Sequence, residues 1–219
     1  MSTAQGGLAS VLIYVVVYVA TLRTVYGHLR SGRAARRPHP VAVVLWLVVA
    51  VPSLLQLVRP QIYAALARDP VLTGHGEWWR LLTSVLVQDG GLVGTAYNLV
   101  TLALTAPAAT ALWRPLRAVA VFVAGALVFN LPATFAWHDG GGGNSGATFF
   151  LATSMLGVLV VGSHARQIRT AALIVAGCGI ALLVLGDAHG EAVLAGLLVG
   201  AAVAAASRAR RVAGERAVR

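Results

Sequence analysis

Charge is what this sequence has least of. Only 11% of its 219 residues are Asp, Glu, Lys or Arg and 58% are hydrophobic, whereas a soluble domain carries roughly 25% charged residues. With a mean hydropathy of +0.79, the composition excludes a water-soluble globular domain and points to an integral membrane protein. Cysteine is almost absent as well. The one copy, Cys178, excludes an intrachain disulfide and a cysteine-based metal site, and reads as a small buried apolar residue. Met1–Gly7 carries no side-chain charge, so the first apolar stretch lacks the positive flank of a secretory signal; with no evident small-residue cleavage site either, it reads as a retained helix. No internal repeat of transporter type is visible, and few polar residues lie deep within the apolar runs, which argues against a transporter or channel.

What is present is a series of seven apolar stretches, approximately Leu8–Leu22, Val41–Val58, Leu92–Leu112, Leu116–Ala136, Ser145–Val161, Ile168–Leu185 and Ala188–Ala206. A spanning helix needs roughly 20 mostly apolar residues. Open sheet edges cannot lie in lipid, so an all-α membrane protein is predicted. Three regions follow: residues 1–40, an N-terminal transmembrane helix with a basic loop; residues 41–206, a six-helix membrane domain; and residues 207–219, a basic tail.

All 17 basic residues are arginine, and they alternate with the spans. Arg23, Arg30, Arg33, Arg36 and Arg37 lie in the first connection, Arg114 and Arg117 after the third span, Arg166 and Arg169 after the fifth, and Arg208, Arg210, Arg211, Arg216 and Arg219 in the tail. Only Arg59, Arg68 and Arg80 fall on the other side. This positive-inside pattern predicts a multi-pass cell-membrane protein with its N-terminus outside and its C-terminus in the cytoplasm. The net charge of +10 is thereby assigned to the face near anionic lipid and not to nucleic-acid binding.

Two connections stand out. The outer segment from about Arg59 to Gly91 is long and rich in apolar residues and Trp, so it is predicted to be structured, partly helical and half sunk in the outer leaflet; Trp78 and Trp79 suit such an interface. The other, His138-Asp139-Gly140-Gly141-Gly142-Gly143, has four glycines that permit unusual dihedrals and close backbone approach.

Ser145 follows that loop and opens the fifth span. A helix N-terminus offers unpaired N–H groups and a positive dipole end, the surroundings a developing oxyanion needs, although serine is also an ordinary N-cap. His189 opens the last span, and Ala192, Gly196 and Gly200 follow it at intervals of four. Such a small-residue stripe lets two membrane helices approach closely, and His189 shares its face. A partner helix carrying Ser145 and Gly146 would bring hydroxyl and imidazole together at matching depth, as nucleophile and base. His28, His39 and His164 lie on the wrong side, and the loops holding His75 and His138 do not fix their orientation. Ser154 is too deep. Asp187 is the acid nearest His189, but no acid is assigned as a third member.

With these residues in view, the chain resembles the rhomboid family of intramembrane serine proteases. The resemblance rests on Gly76-Glu77-Trp78-Trp79-Arg80-Leu81-Leu82-Thr83-Ser84, on Asn98, on Gly143-Asn144-Ser145-Gly146 as the family's G-x-S-G, and on His189 with Ala192 and Gly196. It covers about Val41–Ala206 and implies a rhomboid-like six-helix bundle plus one extra N-terminal helix, a one-plus-six arrangement. It implies a Ser145–His189 dyad without a required aspartate, in a water-filled cavity open to the outside. Asn98 would join the Ser145 N–H at the oxyanion, Phe149 would pack on the histidine ring, and Arg80 would hold the outer loop beside Trp79. Substrates would be single-pass transmembrane proteins within the bilayer, with no metal or cofactor. Three positions depart from the family pattern: Gly94 stands where it has a histidine, Thr110 where it often has a glutamate, and Ala192 where it has a glycine. The alternative implied by these departures is a catalytically weak or inactive relative that binds membrane helices.

Overall fold

The computed structural model describes residues 7–31 and 38–217; Arg33, Arg36, Arg37 and Arg219 lie outside them. Among the described residues the chain is all-helical, and one isolated bridge, Arg68 with Gly141, is the sole β-type pairing. The long helices are α1 (Gly7–Ser31), α2 (Pro40–Leu55), α6 (Gly91–Trp113), α7 (Pro115–Phe135), α8 (Ser145–Gly162), α9 (Arg166–Val184) and α10 (His189–Ala217). Between α2 and α6 lie three short helices, α3 (Pro60–Leu66), α4 (Pro70–Gly74) and α5 (Arg80–Thr83), and a 3-10 turn over Ser84–Leu86. The long connection between α2 and α6 is therefore partly helical, as expected.

Proline punctuates the chain. Pro40, Pro60, Pro70 and Pro115 each stand in the first turn of a helix, where the missing N–H costs nothing and the fixed φ is already helical. Asp69 caps α4 by accepting from the N–H groups of Val71 and Leu72 at 2.9 and 3.0 Å.

Among the described residues, six of the seven long helices are long and apolar enough to cross a membrane; α2, with 16 residues, is shorter. Leu12, Val19, Val44, Val48, Val100, Leu173 and Leu198 all face outward and exposed. So extensive an apolar surface on a monomer is suited to lipid, and the protein is a multi-pass, all-α membrane protein. The ends of several spans differ from expectation. Helix α2 stops at Leu55, one turn short of Val58, just past Pro52. Helices α1 and α10 run on as helix beyond their apolar stretches, to Ser31 and Ala217, because no proline intervenes and the single glycines, Gly27 and Gly214, are tolerated.

Helix α8 is the centre of the bundle: thirteen of its 18 residues are buried, and α10, α7, α6, α1 and α9 all pack against it. Its composition, mostly Gly, Ala, Ser, Thr and two Phe, suits close approach on every side. The nearest neighbour is α10. A Cβ at Gly157 would stand 2.2 Å from the Leu197 carbonyl oxygen, and one at Gly196 2.5 Å from that of Phe150. These glycines set the separation of the two helices that carry Ser145 and His189.

Candidate active site

Each half of the site is fixed by local backbone chemistry. Helix α9 ends in a Schellman turn: Asp187 N–H bonds to Leu182 O at 2.9 Å, Gly186 N–H to Leu183 O at 3.0 Å, and Gly186 adopts φ +73°. Asp187 thus begins the next segment, and its Oδ1 accepts the His189 backbone N–H at 3.0 Å. His189 is held in the first turn of α10 by this contact.

The other half is the glycine loop, which is pinned and not a slack linker. Arg68 and Gly141 exchange both backbone bonds at 2.8 Å, Asp89 N–H bonds to Gly142 O at 3.0 Å, and Gly143 N–H to Ser84 O at 2.9 Å. Glycine is required there. Gly141 has φ +129° with Asp89 Oδ2 2.5 Å from where its Cβ would be, and a Cβ on Gly142 would meet Val87 Cγ2 at 2.8 Å. Arg68, buried, reaches under the loop: its Nε donates to Asp139 O at 2.9 Å, its Nη1 to Asn130 Oδ1, and its Nη2 lies 3.7 Å from Asp139 Oδ2.

These two halves bring Ser145 Oγ within 2.8 Å of His189 Nε2. Ser145 is half-buried and His189 buried. The N-cap of α8 is Asn144, whose side chain makes no cap bond, so the Ser145 hydroxyl is committed to the imidazole and not to capping. The first intrahelical bond of α8 runs from Thr148 N–H to Asn144 O, which leaves the N–H groups before it without helical partners. Gly146 is filled over by the Phe129 ring, 2.3 Å from its Cβ position; that ring lies 5.0 Å from the imidazole, and Phe149 meets it edge-on at 5.6 Å.

Asn98 stands on the same side. The empty Cβ position of Gly143 is 3.4 Å from Ser145 Oγ, 3.6 Å from Asn98 Nδ2 and 3.8 Å from Gln88 Oε1. Gln88 is a residue that sequence reasoning passed over. Its Oε1 accepts from Asn98 Nδ2 at 2.8 Å and from Asn144 N–H at 3.3 Å, and its Nε2 donates to Ser53 Oγ at 2.9 Å. Gln56 bonds both the N–H and the C=O of Gln88, at 2.9 and 2.7 Å. The Asn98 amide is therefore oriented by a buried chain from α2.

No family model matches this chain, and no curated protein matches it.

Of the remaining sequence candidates, Arg80 is buried and ties the α2–α6 connection together, donating to Glu77 Oε2 at 2.6 Å and to the carbonyls of Ala64 and Ala67 at 3.0 and 2.7 Å. Trp78 and Trp79 are exposed, Trp78 resting 5.6 Å from Phe135. Ser154 accepts from Trp113 Nε1 at 3.1 Å and is far from the pair. At Gly94 a Cβ would lie 2.1 Å from Asp89 O, so this position excludes any side chain. Thr110 bonds Pro107 O within its own helix.

Two residues reach His189 that the sequence reading had not enlisted. Asp187 Oδ1 is 2.7 Å from His189 Nδ1, and the hydroxyl of Tyr14, from α1, is 2.9 Å from the same nitrogen. Asp187 is fully buried. Burial alone would raise its carboxyl, but hydrogen bonds and charge from His189 and a bond from Tyr14 outweigh it and hold the group below the usual carboxylate range. No periodicity signals Tyr14, because it lies within an apolar run like any lipid-facing aromatic.

Proposed function

We propose that the protein is an intramembrane serine protease of rhomboid type, with α2 and α6–α10 as the six-helix domain and α1 as the additional N-terminal helix. The observation that carries this reading is the 2.8 Å contact between Ser145 Oγ and His189 Nε2, within hydrogen-bond reach of a nucleophile and its base. The glycine loop, the Asn98 amide and the start of α8 support it by converging on one side of the hydroxyl.

The chemistry follows the general acyl-transfer scheme. As Ser145 Oγ bonds to the scissile carbonyl carbon, its proton passes to Nε2. The oxyanion meets the N–H groups at the start of α8 and the second N–H of Asn98. Collapse breaks the C–N bond, and Nε2 returns the proton to the leaving amine. Water then adds to the acyl carbon, giving one proton to Nε2, and Ser145 leaves with it. Substrates on this reading are single-pass transmembrane proteins, cleaved at the outer face. On this reading the C-terminus lies in the cytoplasm, which the arginine pattern supports.

Reconstitution with a helical substrate tests the reading. Wild type should cleave it and label at Ser145 with a fluorophosphonate, while Ser145→Ala and His189→Ala lose turnover by a factor on the order of 10⁶. Equal turnover by wild type and Ser145→Ala removes the proposal. Helix binding without cleavage by wild type would instead favour the non-catalytic alternative raised by Gly94.

A further inference from the structure

The extra N-terminal helix does more than pack. Helix α1 lies against α6, α8 and α9 and turns two tyrosines inward, Tyr14 and Tyr18, one helical turn apart and both buried. Both rings pack on Phe149, with centroids at 5.1 and 4.4 Å. Their hydroxyls differ. The Tyr18 hydroxyl is buried with no hydrogen-bond partner. The Tyr14 hydroxyl donates to Asp187 Oδ2 and lies 2.9 Å from His189 Nδ1, while its ring sits 5.0 Å from the imidazole.

An ionised carboxylate only accepts, so the nitrogen facing Asp187 Oδ1 at 2.7 Å carries the proton, and Nε2 keeps its lone pair toward Ser145. That is the tautomer a general base needs. Asp187 holds this arrangement only if its second oxygen is also satisfied, since a buried carboxylate oxygen without a donor is costly. Its other bonds, to the backbone N–H and the ring of His189, both fall on Oδ1. Tyr14 holds Oδ2.

From this geometry we infer that Asp187 and Tyr14 are positioning residues of the site: Asp187 selects the His189 tautomer, and Tyr14, delivered by α1, fixes Asp187. The catalytic consequence rests on the proteolytic reading; the proton placement does not. A chain of four side chains from three parts of the sequence then runs Tyr14, Asp187, His189, Ser145, and α1 becomes a component of the active site.

Comparison of Tyr14→Phe with Tyr18→Phe tests the inference, because each keeps its ring and loses one hydroxyl. In the solubilised full chain, a histidine Nδ1–H held by a carboxylate gives a far-downfield proton resonance, assigned by its loss in His189→Ala. It should persist in wild type and Tyr18→Phe, vanish in Asp187→Asn, and broaden by faster exchange in Tyr14→Phe. On a helical substrate, Tyr14→Phe should lower kcat about tenfold at unchanged KM, and Asp187→Asn by up to about 10⁴, with Tyr18→Phe within about twofold of wild type. A Tyr14→Phe protein that keeps both the sharp resonance and the wild-type kcat overturns the inference. If no form cleaves, the proteolytic reading fails, and the resonance by itself decides the proton placement.

Discussion

Gly200 lies directly against the backbone of Ser154: a Cβ built on Gly200 would stand 1.9 Å from the Ser154 carbonyl oxygen. No rotamer relieves that clash, because the obstacle is main chain. Helices α8 and α10 would have to separate, and Ser145 and His189 sit at their ends. Gly200→Leu is expected to cost at least the 1–3 kcal/mol (roughly) of an overpacked core, to lower Tm in detergent, and to abolish fluorophosphonate labelling. Gly177, on α9, has nothing within 4 Å of its Cβ position; Gly177→Ala should leave both readouts unchanged. Equal behaviour of the two variants would dismiss the helix-contact account.

The hydrogen-bonded amides make a second case. Asn98→Ala removes a donor placed to meet the oxyanion and should lower kcat by about 10²–10³ with little change in KM. Gln88→Leu leaves Asn98 in place but removes the oxygen that orients it at 2.8 Å, so its kcat should fall by less than that of Asn98→Ala. It also orphans the Asn144 N–H, so stability should fall by about 1–3 kcal/mol, read as a lower Tm. Steady-state kinetics with thermal unfolding separates the two effects; a Gln88→Leu protein with wild-type kcat and Tm would show that the amide chain is incidental.

Helix-scale features were readable because they follow from apolar run length and the placement of proline and glycine. The meeting of Ser145 with His189 was also readable, because both stand at helix starts beside turn residues and a small-residue stripe. The expectation that Arg80 holds its connection in place matches its bonds to Glu77, Ala64 and Ala67. Gln88, Arg68, Asn130 and Tyr14 were not. Each acts through contacts between segments distant in sequence: Arg68 with Asn130 and Asp139, Gln88 with Gln56 and Asn98, Tyr14 with Asp187. Periodicity reports which face of a helix is buried, but not which polar tip meets which partner. Asp187 is the acid nearest His189 in the sequence, but its orientation depends on the Schellman turn at Gly186 and on α1, and neither follows from spacing.

On the rhomboid reading proposed above, Gly94 stands where a histidine would be expected. Its Cβ position lies 2.1 Å from Asp89 O, at the start of α6, where Gly94 N–H bonds to Gly90 O at 3.1 Å. Gly94→His should therefore displace the start of the helix that bears Asn98. The expected outcome is a lower Tm and lower kcat than wild type, both visible in one purified preparation. A gain of activity in Gly94→His would mean instead that the start of α6 accommodates a histidine and that its absence limits the proposed activity.

Two buried carboxylates outside the spans should respond to pH in opposite senses. Burial raises the Asp139 carboxyl, only partly offset by the Arg68 guanidinium, and its Oδ2 is buried without a hydrogen bond. The folded state then holds that proton more tightly than the unfolded chain, so the cost of the charge is relieved as pH falls through the raised folded value. Asp187 is the reverse: burial is outweighed by its hydrogen bonds, and its folded value is depressed. Its contribution is complete above the unfolded value of about 3.9 and is lost as pH falls through the lower folded one. Measured as Tm against pH, Asp139→Asn should lose ground to wild type as the pH is lowered from 7 toward 4. Asp187→Asn should be less stable than wild type across that range and approach it only at lower pH. Parallel curves for both variants would contradict the environments assigned to these two side chains, and with them the idea that Tyr14 and His189 together keep Asp187 ionised beside Ser145.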